Sequence, residues 1–136
     1  MKVEIDLLDK QRIELNAVLE NKAELGQYLT PISIARFMAS FFEKDKLSNA
    51  KILDAGAGIG ALTVSLLERI VEEQKSPSHY ECTLIEVDDI LGSKIKSSLD
   101  LLKDAIDIDV KIVSTDFIHW ASERIDNQYN LFQEDM

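Results

Sequence analysis

The chain reads as an α/β protein of the open, Rossmann-like kind, with three parallel strands in the order 3-2-1 and helices ahead of them. Three observations carry that expectation. From residue 50 onward, short apolar runs of strand length alternate with longer segments whose apolar residues recur at helical spacing. The loops between them are short, and strand-helix-strand units linked in this way pair in parallel through a right-handed crossover. A glycine-rich turn stands between the first run and its helix, where open α/β sheets place their ligand crevice.

Ahead of the sheet, Leu7 to Ala23 is polar with Leu8, Ile13, Leu15, Val18 and Leu19 at helical spacing, which predicts an N-terminal helix. Gly26 ends it. Thr30-Pro31 then opens a second helix, with Thr30 as N-cap and Pro31 in the first turn. Ile34, Phe37, Met38, Phe41 and Phe42 mark one face of that helix, which is expected to reach Lys44 before a polar turn over Lys46 to Asn49. Ala50 to Ala55 is a short apolar run closed by an acid, and it suits a buried parallel strand. A helix follows from Ala61 to Gln74, then a loop carrying Pro77. Tyr80 to Val87 reads as a strand, Asp88 to Ala105 as a helix and Asp109 to Ser114 as the third strand. Asp116 to Arg124 is expected to be a short helix, and Ile125 to Met136 a polar tail. Residues 1–49, the N-terminal helices, and 50–136, the sheet, are expected to pack as one structural domain.

Composition bounds the function. At 136 residues, 46% apolar and 29% charged, the chain can bury one core and is globular rather than disordered. No apolar run reaches the roughly 18 residues of a membrane span, and the N-terminus has no signal-peptide core, so a cytoplasmic protein without a membrane partner is expected. Cys82 is the single cysteine and reads as a buried, inert thiol. The net charge is −10. Neutralising phosphates with basic side chains supplies much of any affinity for nucleic acid, so this chain alone is not expected to grip DNA. His79 and His119 lack metal-ligand spacing and read as surface or capping residues.

The strongest chemical signal is Leu53-Asp54-Ala55-Gly56-Ala57-Gly58-Ile59-Gly60. Glycine there permits positive φ and lets backbone approach a ligand. The spacing Asp-x-Gly-x-Gly-x-Gly differs from the Gly-x-Gly-x-x-Gly that cradles a dinucleotide pyrophosphate. An acid at the strand end repels a pyrophosphate but can take the ammonium of an amino-acid-like ligand, which favours S-adenosylmethionine over NAD. Glu86, at the end of the second strand, faces the crevice above the strand ends, where a carboxylate can accept from both ribose hydroxyls. At the end of the third strand, Asp116 can accept from an adenine amino group while Phe117 lies against the ring. Helix capping by Asp116 and core packing by Phe117 are the alternative readings. Trp120 reads as packing rather than stacking.

Four segments, Gly26-Gln27-Tyr28-Leu29-Thr30-Pro31, Leu53 to Gly60, Ile85-Glu86-Val87-Asp88 and Asp116-Phe117-Ile118-His119-Trp120, occur here in the order seen in N6-adenine DNA methyltransferases of restriction-modification systems. Over residues 24 to 122 the chain resembles the N-terminal, cofactor-binding part of that family of class I S-adenosylmethionine-dependent enzymes. The glycine turn is common to many methyltransferases, whereas Gln-Tyr-x-Thr-Pro is much more specific to the nucleic-acid adenine group. The resemblance implies a cofactor site made of Tyr28, Thr30, Asp54, Ala55, Gly56, Gly58, Glu86, Val87, Asp116 and Phe117. In it Thr30 would hold the methionine carboxylate, Val87 would pack on the adenine, and Asp54 with backbone 55–58 would line the methionine and ribose side. It also implies methyl transfer to adenine N6 by in-line attack of the amino nitrogen on the sulfonium methyl.

One departure matters. The family carries an Asn-Pro-Pro-Tyr-type motif at the end of a fourth strand, whose Asn and prolyl carbonyl bind the target amino group of a flipped base. These residues hold only two prolines, Pro31 and Pro77, and no such motif. The chain is therefore expected to lack the catalytic part, to be inactive alone, and to meet DNA only through regions absent from it. The first strand should be left as an exposed apolar edge, open to self-association or to a missing half. A non-catalytic cofactor- or partner-binding module, and an RNA or small-molecule methyltransferase fragment, are the alternative functions.

Overall fold

The computed structural model describes residues 29–73 and 78–133. The N-terminal helix expected over Leu7 to Ala23, the Gly26 break and Tyr28 lie outside the described residues.

Helix α1 (Ile32–Ala39) starts one residue later than its sequence signals suggest. Pro31, not Thr30, is the capping residue, and no side chain caps the helix. Pro31 is extended, with ψ 142°, and its carbonyl receives the N–H groups of Ile34 and Ala35 at 3.1 and 3.0 Å. Pro31 has no N–H of its own to place, and its carbonyl opens the helix without a bond from Thr30. The helix also ends early, at Ala39 rather than Lys44. The Ser40 hydroxyl donates to the Phe37 carbonyl at 2.6 Å, and the N–H groups of Phe41 and Phe42 turn back onto carbonyls three residues behind. A 3₁₀ turn (Lys44–Lys46) follows.

Strand β1 (Lys51–Ala55), helix α2 (Ala61–Glu73), strand β2 (His79–Ile85), helix α3 (Asp89–Asp100) and strand β3 (Asp107–Val113) form the expected run. The three strands are parallel, with β2 central, so the sheet order is 3-2-1. Asp54 lies opposite Leu84, and Ile85 lies between Ala55 and Val113, which brings the ends of all three strands level. Two right-handed crossovers running the same way along the sheet put α2 and α3 on one face. Alternation along the strands agrees with this. Tyr80, Cys82 and Leu84 are buried with Leu67, Ile70, Leu91, Ile95 and Leu99 in the core, and Ile52, Ile108, Val110 and Ile112 pack against it. The opposite face presents exposed Lys51, His79, Glu81, Asp107, Asp109 and Lys111. There Lys51 pairs with Glu81 at 3.3 Å, and His79 sits between Asp107 and Asp109 at 3.1 and 3.2 Å.

Helix α1 lies on α2. Its buried Ala35 and Ala39 allow the close approach, the Arg36 guanidinium pairs with Glu68 at 3.4 Å, and Arg69 donates to the Ala39 carbonyl. Cys82 is buried as expected; burial, then the charge of Asp54, pushes its thiol up to about 12. Helix α4 (Phe117–Gln133) is the clearest difference from the sequence reading, which expected a short helix ending near Arg124 and a polar tail. No glycine or proline interrupts these residues, and pairs one turn apart, such as His119 with Glu123, support the longer helix. None of its described side chains is buried. Among the described residues no helix is long and apolar enough to cross a membrane.

The His79 clamp makes a pH-dependent contribution to stability. Hydrogen bonding to Asp107 comes first, and the charges of both aspartates add to it, so His79 is raised above its ordinary value of 6.5. The stabilisation is fully present below that unfolded value and is lost as pH rises through the higher folded one. Urea midpoints measured across pH 5 to 9 should therefore show a decline in the unsubstituted chain through about neutral pH. His79→Gln should lack that step, and parallel profiles for the two proteins would refute the assignment.

Candidate functional site

The three strands end level with one another, and most of the described residues singled out by sequence lie at or just beyond those ends. The turn between β1 and α2 passes through Gly56, Gly58 and Gly60, all with positive φ (72°, 60° and 84°). The N–H groups of Gly56 and Ala57 both donate to the Ile85 carbonyl, at 2.8 and 2.9 Å, which ties the turn to the end of β2. A side chain at Gly58 would meet Leu29 Cδ2 at 3.1 Å, in addition to the strain of its φ. A side chain at Gly56 would meet nothing within 4 Å, so the turn faces open space at that point.

Glu86 follows β2 directly and is buried, with 7% of its surface exposed. Its Oε2 accepts the Gly58 N–H at 2.7 Å and its Oε1 accepts the Asp88 N–H at 3.0 Å. One carboxylate thus joins the glycine turn to the start of α3. An ionised carboxylate offers about four acceptor positions, so two remain beyond these bonds. Asp88 caps α3 by accepting from the N–H groups of Ile90 and Leu91. Val87, between them, is 64% exposed and presents an apolar side chain just beyond the end of β2.

Thr30 comes to the same place from the other side. Leu29, Thr30, Gly56, Ala57, Gly58 and Ala61 line one shallow crevice at the head of α2. Beside β2, the end of β3 brings Asp116 and Phe117 alongside, since the Glu86 N–H donates to the Val113 carbonyl at 3.1 Å. The Asp116 carboxylate accepts the His119 N–H at 3.1 Å, so the helix-capping role is present. Phe117 is half-buried, not a core residue.

Asp54 takes a different position from the rest. It is buried on the covered face of the sheet, and its Oδ2 accepts the Thr63 hydroxyl at 2.6 Å. Burial pushes its carboxyl above the ordinary range, and the bonds from the Thr63 hydroxyl and backbone oppose that. It lines a groove of about 310 Å³ between α1, the free edge of β1 and α2, together with Met38, Phe41, Phe42, Leu53 and Leu62. Ala55 ends β1 and is exposed. Tyr28 lies outside the described residues. Sequence reading missed two side chains that shape this site. Thr63 holds Asp54 from the first turn of the helix after the glycines, and that spacing was the available signal. Leu29 packs over Gly58, and nothing in the sequence marks it. No group of histidine, cysteine or acid side chains suited to a metal occurs among the described residues.

The fold is also found in a solved protein. A structure from Listeria monocytogenes assigned to the class I S-adenosylmethionine-dependent methyltransferases superimposes with a TM-score of 0.52 over 77% of this chain and 32% of that one, at 21% identity. The fold is therefore that of the class I S-adenosylmethionine-dependent methyltransferases. Sequence relatives narrow it further. The chain is 44% identical over 131 residues to the type II methyltransferase M.BsuBI of Bacillus subtilis, covering 96% of this chain and 26% of that protein. It is 31% identical over 126 residues to the type II methyltransferase M.PstI of Providencia stuartii, covering 88% and 24%. No protein-family profile matches. The chain is a homologue of part of the type II methyltransferases, and it spans about a quarter of the length of these curated relatives.

The turn geometry can be checked directly. Gly58→Ala meets both the φ strain and Leu29, so it should destabilise by about 1–3 kcal/mol. Gly56→Ala meets the φ strain alone and should cost less, about 1–2 kcal/mol. Denaturant titration of both variants reads the difference, and equal costs would show that Leu29 does not crowd Gly58.

Proposed function

We propose that this chain forms the S-adenosylmethionine-binding portion of a cytoplasmic DNA adenine-N6 methyltransferase, with catalysis and DNA contact supplied by parts of such a protein not present in these residues. The observation that carries the reading is the Glu86 carboxylate, buried, fastened to both the glycine turn and the start of α3, and with acceptor capacity left beyond those two bonds. Ligands of open α/β sheets bind outside the carboxyl ends of the strands, which is where these groups converge.

In this reading Glu86 receives the ribose hydroxyls, and the open side of Gly56 lets the ligand approach backbone. Thr30 serves the methionine carboxylate end. Ala55 and Gly58 form the wall beneath, and Asp54, held by Thr63 on the covered face, supports the strand end from which the turn leaves. Val87 and Phe117 hold the adenine between apolar surfaces, and the Asp116 oxygen beyond its capping bond accepts from the adenine amino group. The cofactor supplies an electrophilic methyl group on a sulfonium centre. This chain contributes binding and orientation. Its net charge of −10 supports placing DNA contact elsewhere.

The free edge of β1 belongs to the same proposal. Leu53 is 51% exposed there, and Phe41 and Phe42 border the groove at 70% and 53% exposed. A further strand added at this edge would pair the open backbone and cover these side chains. In the chain by itself, the same edge is offered to a second copy.

Isothermal titration tests the cofactor reading. S-adenosylmethionine and S-adenosylhomocysteine should bind saturably and NAD should give no heat, while Glu86→Ala should weaken binding by about ten- to a hundredfold through the loss of charge-assisted bonds. Heat from NAD alone, or none from any ligand with a folded sample, would sink it. Sedimentation tests the edge. The chain should associate with rising concentration, Leu53→Lys should stay monomeric, and a monomeric unsubstituted chain would remove self-association from the proposal.

A further inference from the structure

Phe117, Trp120 and Arg124 follow one another along a single face of α4. The Phe117 and Trp120 rings lie 6.1 Å apart between centroids and 28° from parallel, and the Arg124 guanidinium sits 3.8 Å from the centre of the indole. Arg124 also reaches the Trp120 carbonyl at 3.5 Å. None of the described α4 side chains is buried, so no core holds these three in place. They hold each other, in a column that starts from a cation and ends at the phenyl ring beside the crevice.

We infer that Trp120 is a positioning residue, which, braced by Arg124, sets the Phe117 ring for contact with the adenine of the cofactor. The inference rests on the cofactor reading above and adds to it two residues that the reading does not use. Phe117 is the first residue of α4, next to the ends of β2 and β3, and a ring in that position has rotamers to choose among. Stacking on Trp120 restricts that choice before any ligand arrives, so less ordering is required on binding. The guanidinium over the indole contributes a cation–π attraction and keeps Trp120 from swinging away. An adenine against the Phe117 ring adds a further aromatic contact to this set.

Titration calorimetry with S-adenosylhomocysteine tests this on the whole chain. Trp120→Ala should weaken binding by about three- to tenfold, the range expected for one aromatic pair, and Trp120→Phe should restore most of it. The double variant Phe117→Ala with Trp120→Ala should bind as Phe117→Ala does, because Trp120 acts through Phe117. Trp120 is the chain's single tryptophan, so its emission should change on titration, and that change should vanish in Phe117→Ala. A general structural defect would not be rescued by phenylalanine, nor would its effect disappear in the double variant. If the unsubstituted chain binds and Trp120→Ala binds equally well, or the two losses multiply, the inference is overturned alone. If the unsubstituted chain does not bind, the cofactor reading falls and this inference falls with it.

Discussion

The carboxylate of Glu86 is the constraint on which the crevice depends. A glycine turn with three positive φ angles has little stiffness of its own, since glycine loses the most freedom on ordering. Here its N–H groups are shared out between the Ile85 carbonyl and Glu86, so the end of β2 dictates the path of the chain leaving β1. The second oxygen of Glu86 fixes the start of α3 through Asp88. Burying a carboxylate is costly unless it is well bonded, and two backbone donors meet that requirement while leaving the outward side of the group available. Turn geometry and local stability are therefore properties of the same atoms.

A second constraint is the asymmetry of the sheet. Parallel sheets usually have both faces covered and read as continuous apolar runs. Here the described helices α2 and α3 share one face, and the other carries ion-paired side chains such as Lys51, Glu81 and His79. Buried polar chemistry concentrates where the covered face meets the free edge. Asp54 is held there by Thr63, beneath a groove bordered by Phe41, Phe42 and Leu53. An edge strand that is apolar and open, next to a buried acid, is an unstable arrangement to leave bare, because it invites pairing from any available strand. The curated relatives are about four times as long as this chain.

Much of this was legible in the residues. The alternation of apolar runs with helical spacing, the order 3-2-1 and the glycine turn required no tertiary information, because period, loop length and crossover handedness are local or general rules. Helix ends were less legible. Pro31 replaced Thr30 at the start of α1, and α4 ran on to Gln133, since capping and termination depend on small differences that neighbouring hydrogen bonds decide. The placement of Asp54 away from the crevice of Thr30 and Gly58 was not legible at all. Period two assigns an acid to a face, but not what covers that face.

By itself, then, the sequence determined the fold class, the turn and the identity of the strand-end carboxylates, because these follow from side-chain period and from what glycine alone permits. Only the tertiary structure decided that Glu86 holds the turn, that Thr63 holds Asp54, and that Trp120 stands between Phe117 and Arg124. Those are contacts between residues whose distances depend on how helices and strands pack, and no spacing along the chain encodes them.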